Sequence, residues 1–244
     1  MARYRLTVEY DGTAYHGFQL QRGQPTIQGE LEEALAKITG EAIRVAGAGR
    51  TDAGVHALGQ VVSFDAELRL EPATLLRALN GTLPRDVAAK SIEEASPRFH
   101  ARFSARSRSY RYRIFRGAVR SPLWWRYSLH EPRELRWDAL TSATEALLGR
   151  HDFAAFSGAV PGGYSTTRTV ISARWHEHDD LLDFEIEADA FLPHMVRLIV
   201  GALLRVGRGR LESTSILETL AQRDRAGAGP AVPSCGLYLL AVTY

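Results

Sequence analysis

The sequence predicts an α+β protein of two halves, each running strand, helix, strand, strand, helix, strand. Three observations predict it. Residues 3–10 and 108–115 alternate apolar and polar side chains, the period of a half-buried strand. Residues 27–38 and 193–206 read as helices, the first with apolar residues at helical spacing and the second as a strongly apolar run, and each ends at a glycine, Gly40 or Gly207. The same order of signals appears twice, although no residue-level identity relates the halves.

In the first half, Leu6, Val8 and Tyr10 share one strand face. Thr26 is placed to cap a helix whose Ile27, Leu31, Ala34, Leu35 and Ile38 form one apolar stripe. Strands are expected over residues 42–47 and 60–64, on either side of a turn about Asp52. Residues 72–79 read as a second helix ending at Asn80-Gly81, and residues 86–94 as a fourth strand.

In the second half, Tyr110, Tyr112 and Ile114 lie on one strand face, with Arg111, Arg113 and Phe115 on the other. Residues 137–148 form a helix stopped by Gly149. Residues 168–177 and 182–188 form a hairpin about His178-Asp179-Asp180. An extra helix is expected over 213–222, and a closing strand over 236–243. The pattern suggests two tandem ferredoxin-like modules, also the architecture of RNA-recognition modules. Residues 1–100 form the first and 101–244 the second, with the boundary near residues 96–105.

Composition limits the classes. The chain has 244 residues, 45% hydrophobic and 24% charged, ordinary for a soluble globular protein. No apolar run reaches membrane-spanning length, and the chain enters a strand at once, so neither membrane span nor signal peptide is expected. The lone cysteine, Cys235, excludes an internal disulfide and fits a reducing cytoplasm. Net charge is only +2, but nine arginines and no acid lie between Ala95 and His130. Phe99, Phe103, Tyr110, Tyr112, Phe115, Trp124, Trp125 and Tyr127 are interleaved with them. Arginine forks suit phosphates, and aromatic rings suit unstacked bases. Arg102, Arg106, Arg108, Arg111 and Arg113 are therefore candidate RNA contacts.

The stretch that carries chemistry is Ala48-Gly49-Arg50-Thr51-Asp52-Ala53-Gly54-Val55-His56-Ala57. It sets one carboxylate among small residues that allow close approach. It is not a phosphate loop: it fits neither glycine-rich motif, and its central anion would repel phosphate. Taken alone, Asp52 is equally readable as a turn former.

Residues 49–57 resemble the signature of the TruA family of tRNA pseudouridine synthases. Further runs match in the family's order: Glu9-Tyr10-Asp11-Gly12, Gly17-Phe18-Gln19, Gly59-Gln60-Val61-Val62 and Phe99-His100-Ala101-Arg102-Phe103-Ser104-Ala105. Tyr110-Arg111-Tyr112, His194-Met195-Val196-Arg197 and Gly236-Leu237-Tyr238-Leu239 complete them. The resemblance implies two modules with sheets joined around a central active-site cleft. It implies Asp52 as nucleophile, Arg197 as the arginine paired with it, and Tyr110 packed on the target base. Arg50 is a candidate to hold the flipped nucleotide, and His56 and Leu239, inside matched runs, are candidate substrate contacts. The implied substrate is uridine at positions 38, 39 and 40 of the tRNA anticodon stem-loop, on a homodimer with tRNA lying across both subunits.

Pseudouridylation breaks the N1–C1′ bond, turns the base and rejoins it through C5. It has no redox change and no net hydrolysis, so no cofactor is expected. A carboxylate can serve covalently, attacking C1′ or C6. Three alternatives stand beside this reading. One is a synthase of the same fold with another RNA target. A second is an RNA-binding module without catalysis, although the K/R-G-F/Y-G/A-F-V-x-F/Y run of such modules is missing. The third is a metal enzyme built on His176, His178, Asp179 and Asp180, which read better as polar residues of a hairpin tip, so no metal is expected.

Overall fold

The computed structural model describes residues 1–68, 70–159 and 162–244. Its strands are β1 (Ala2–Tyr10), β2 (Ala46–Gly47), β3 (His56–Ala66), β4 (Val87–Ala95), β5 (Ser107–Phe115), β6 (Leu129–His130), β7 (Gly149–Asp152), β8 (Thr167–His178), β9 (Leu181–Ala188) and β10 (Leu237–Thr243). Its α-helices are α1 (Ile27–Thr39), α2 (Pro72–Thr82), α3 (Trp137–Glu145), α4 (Met195–Gly207), α5 (Ser215–Gln222) and α6 (Arg225–Ala228). The chain divides into two compact units, Met1–Arg106 with Tyr238–Tyr244, and Ser107–Leu237.

In the first unit the strand order is β4-β1-β3-β10, with β2 on β3. β1 runs antiparallel to both neighbours, so Leu6 faces Val62 on one side and Ile92 on the other. Alternation buries Tyr4, Leu6, Val8 and Tyr10. The buried stripe of α1 is Ile27, Leu31, Ala34 and Leu35, and that of α2 is Leu75 and Leu79. Thr26 caps α1 as expected, its Oγ1 accepting from Gly29 N at 3.2 Å. Gly40 ends the helix in the left-handed region, φ 75°, where a side chain would be strained.

In the first unit, α2 and β2 differ from the sequence expectation, and β10 makes a pairing that the sequence did not show. α2 runs through Asn80-Gly81, because the Asn80 side chain clasps β4: it donates to Ala89 O at 2.8 Å and accepts from Ala89 N at 2.9 Å. The strand before the Asp52 loop shrinks to two residues, because side chains of α1 take its backbone groups. Glu32 accepts from Val45 N at 3.1 Å, and Gln28 donates to Val45 O at 3.3 Å. Finally, β10, a strand as expected, pairs parallel with β3, Tyr238 against His56 and Leu239 against Ala57. Gly59 permits this approach: a Cβ there would stand 2.4 Å from Leu240 O.

In the second unit the order is β5-β9-β8-β7, all antiparallel, with β6 parallel to β5. Tyr112 faces Phe184, and Ile114 faces Leu182, all fully buried. α4 is buried over most of its surface, including Met195, Leu198, Ile199, Ala202, Leu203 and Val206. It starts at Met195 rather than Pro193, because His194 takes a left-handed conformation, φ 62°, at the cap. α3 ends three residues before Leu148, where Leu147 N and Leu148 N make turn bonds to Thr144 O and Glu145 O. β6 and β7 were not expected, being too short to show a period.

Candidate active site

The Asp52 loop joins β2 to β3. Its ends are tied by Ala48 N to Val61 O at 2.8 Å and by Gln60 Nε2 to Gly49 O at 2.8 Å. Thr51 is buried, its Oγ1 lying 2.8 Å from the Tyr10 hydroxyl, while its carbonyl accepts from Phe18 N at 3.1 Å. Val55 N closes a turn on Asp52 O at 3.2 Å, with Gly54 at φ 75°. The segment after β1 lies directly on this backbone. A Cβ on Gly12 would stand 2.0 Å from Val55 O, and one on Gly17 2.6 Å from Thr51 O. Asp52 itself is half-buried, between buried Thr51 and exposed Ala53. The loop thus offers one partly exposed carboxylate from an otherwise anchored backbone.

His56, 2% exposed, begins β3. Its Nδ1 lies 3.1 Å from Gly12 N and 3.0 Å from Asp11 Oδ1, and its ring stacks on Tyr238 at 4.8 Å. Unprotonated Nδ1 accepts from the Gly12 N–H; a proton there turns it into a donor to Asp11. His56 therefore fastens the β1 turn to the loop. Asp11 accepts from Thr13 N at 2.9 Å, a turn-forming bond. Leu239 is fully buried beside Ala57 in the pairing, whereas Arg50 is exposed.

Two buried phenols near the loop are held neutral. Burial pushes the Tyr10 hydroxyl up to about 12, against the opposing bonds from Thr51 and Gln60. Burial, then the carboxylate of Asp86, raises Tyr15, whose hydroxyl donates to Asp86 at 2.7 Å.

In the second unit, Tyr110 on β5 is 8% exposed and meets Phe191 edge-on at 4.9 Å. Arg197 is the third residue of α4 and half-buried. Its Nε donates to Val232 O at 2.8 Å, and Val232 N returns a bond to Arg197 O at 3.1 Å. That two-way tie anchors Arg197 to the backbone at Val232.

The arginines separate into two sets. Arg102 and Arg106 are exposed. Arg108 donates to Asp189 O at 2.9 Å, Arg111 reaches Glu185 at 2.8 Å, and Arg113 holds Asp183 by two bonds. Arg111 and Arg113 of the acid-free stretch are therefore compensated from β9, whose carboxylates lie seventy and more residues away in sequence. Among the described residues, no three His, Cys, Asp or Glu side chains are grouped to hold a metal ion, and His176 lies 3.8 Å from Glu185. No helix among them is long and apolar enough to cross a membrane.

Sequence reasoning missed Tyr10, Thr51 and Gln60 as supports of the loop. The signal was present: Gln60 is a polar residue inside an apolar strand, and Tyr10 and Gln60 both stand in matched runs.

A family model described as tRNA pseudouridine synthase matches residues 6–104 and 143–244. A protein named tRNA pseudouridine synthase A from Geobacillus sp. (strain WCH70) is 44% identical over 243 residues, covering 99% of this chain and 98% of the relative. Its namesake from Chloroflexus aurantiacus (strain ATCC 29366 / DSM 635 / J-10-fl) is 47% identical over 249 residues, covering 100% of this chain and 89% of the relative. A third, from Thermoanaerobacter sp. (strain X514), is 38% identical and covers 100% of both chains. With matches of this extent, the chain belongs to the tRNA pseudouridine synthase family.

Proposed function

We propose that this chain isomerises uridine to pseudouridine in tRNA with Asp52 as the nucleophile. Family membership carries the reaction; the observation that carries the residue is the anchored loop presenting one half-buried carboxylate. The carboxylate bonds to C1′ or C6, the N1–C1′ bond breaks, the base turns, C5 bonds to C1′, and the bond to Asp52 breaks to return the free carboxylate. The C5 proton leaves and N1 gains one, so no oxidant or cofactor enters the balance. The target uridine leaves its stack to be reached, at a cost of a few kcal/mol.

Tyr110 is assigned to pack on the target base and Arg197 to keep the nucleophile ionised, both on the family resemblance. Arg50 is assigned to the flipped nucleotide, and its exposure supports that reading. Exposed Arg102 and Arg106 are the better phosphate contacts, since Arg108 is buried and Arg111 and Arg113 are half-buried. The tight anchoring of His56 and the full burial of Leu239 favour shaping the site over touching the nucleotide. The substrate positions are the uridines at 38, 39 and 40 of the anticodon stem-loop, and the working form is a cytoplasmic homodimer.

The test is Asp52→Asn, which keeps the turn and removes the charge and the nucleophilic oxygen. Site-resolved mapping of pseudouridine in tRNA should show background conversion by the folded variant, with tRNA affinity retained because phosphate contacts dominate it. A folded variant converting uridine at the parental rate would end the nucleophile reading. Conversion by the parent outside the anticodon stem-loop would move the substrate assignment while leaving the chemistry intact. A monomer by light scattering at micromolar concentration would remove the dimer.

A further inference from the structure

A buried polar cluster supports the Asp52 loop, and no step of the reaction uses it. Tyr10, the last residue of β1, is 3% exposed, and its hydroxyl lies 2.8 Å from Thr51 Oγ1. The Gln60 side chain is fully buried, its Nε2 donating to Gly49 O at 2.8 Å and its Oε1 accepting from Val61 N at 3.2 Å. The cluster therefore holds the residue immediately before Asp52 and the residue three before it. Phenylalanine and valine would fill nearly the same volume at positions 10 and 51. Polar groups buried in an apolar core cost free energy unless bonded, so packing alone does not call for these hydroxyls. Their effect is directional: a bond from the end of a central strand sets where the Thr51 side chain points, and with it the backbone that carries Asp52.

We propose that Tyr10 is a positioning residue for Asp52, acting through Thr51. The proposal rests on the nucleophile reading of Asp52. Tyr10 stays uncharged through the working pH range, so it acts as a fixed hydrogen-bonding group and not as a proton carrier.

The experiment compares Tyr10→Phe, Thr51→Val, Thr51→Ser and the double variant Tyr10→Phe/Thr51→Val. Single-turnover pseudouridine formation, tRNA affinity and thermal unfolding are measured for each. Tyr10→Phe should slow the chemical step on the order of 10- to 100-fold, since misplacement by about 1 Å can cost about 10². Affinity for tRNA should hold. Thr51→Ser should keep the parental rate because it keeps the hydroxyl. The double variant should be no slower than the slower single variant, because the two hydroxyls act as one unit. Ser63→Ala is the stability control: it removes another buried hydroxyl of this unit, which accepts from Ala101 N at 3.0 Å, and should leave the rate unchanged.

Parental turnover by Tyr10→Phe would overturn the proposal, as would additive losses in the double variant or an equal slowing in Ser63→Ala. If Tyr10→Phe does not fold, Thr51→Val against Thr51→Ser decides: equal rates would overturn it. Asp52→Asn separates the two readings. Activity there removes the nucleophile reading whatever Tyr10 does. Its inactivity, together with a parental Tyr10→Phe, removes the positioning role alone.

Discussion

Arg113 and Asp183 face each other across β5 and β9 and share a two-point ion pair, Nε to Oδ1 at 2.8 Å and Nη2 to Oδ2 at 2.7 Å. Asp183 is 3% exposed, and the nearest second cation is Arg111, whose Nε lies 3.4 Å from Oδ2. Removing one partner of a buried pair costs more than the pair itself is worth, because the remaining charge stays desolvated. Arg113→Ala should lower stability by about 3 kcal/mol, the low end of the roughly 3–5 kcal/mol such a loss costs, because Arg111 remains. Urea unfolding measures it, and an unchanged midpoint would mean that Asp183 is solvated.

Replacing Arg102 and Arg106 together by glutamine should weaken tRNA binding and reduce the slope of log K against log salt by about 1 per lost phosphate contact. Replacing Arg111 and Arg113 together should leave that slope unchanged in protein that remains folded, since their forks serve Asp183 and Glu185. Binding titrations over a salt series separate the two sets. A flattened slope for the Arg111 and Arg113 variant would return those residues to the RNA footprint.

Tyr110→Ala should slow conversion far more than Tyr110→Phe, because stacking is worth roughly 1–3 kcal/mol per base and phenylalanine keeps the ring. The edge-on contact with Phe191 holds that ring, so phenylalanine fits the same site. Single-turnover rates decide, and equal loss in both variants would make the hydroxyl the active element.

Glu131 supplies a pH dependence in the second unit. It is fully buried; burial pushes its carboxyl up, but bonds from Arg133, at 2.7 Å and 3.0 Å, and from Arg208 outweigh this and hold it below the ordinary range. A depressed folded pKa stabilises the fold above the unfolded value of about 4.3, and this is lost as the pH falls through the folded value. Glu131→Gln should therefore unfold earlier than the parent at neutral pH, and the gap should close as the pH falls below the unfolded value. A gap independent of pH in thermal melts would show that the charge of Glu131 is not what stabilises.

The sequence by itself determined the elements with a long period or a marked end. β1, α1, β5, α4 and the β8–β9 hairpin stand where alternation, the helical stripe, Thr26, Gly40 and Gly207 put them. It also determined the family, because the runs about Asp52, Tyr110 and Arg197 occur together and in order. Tertiary structure decided the rest, where a group's partner is remote in sequence. Asn80 carries α2 through a local stop signal because Ala89 offers two backbone groups to its amide. β10 lies parallel to β3 because Gly59 admits its backbone there. The arginines of β5 read as a basic patch along the chain, and become internal counter-charges once β9 lies alongside. Local propensity acts over a few residues, whereas an ion pair or a sheet edge depends on residues that only folding brings within a few ångströms.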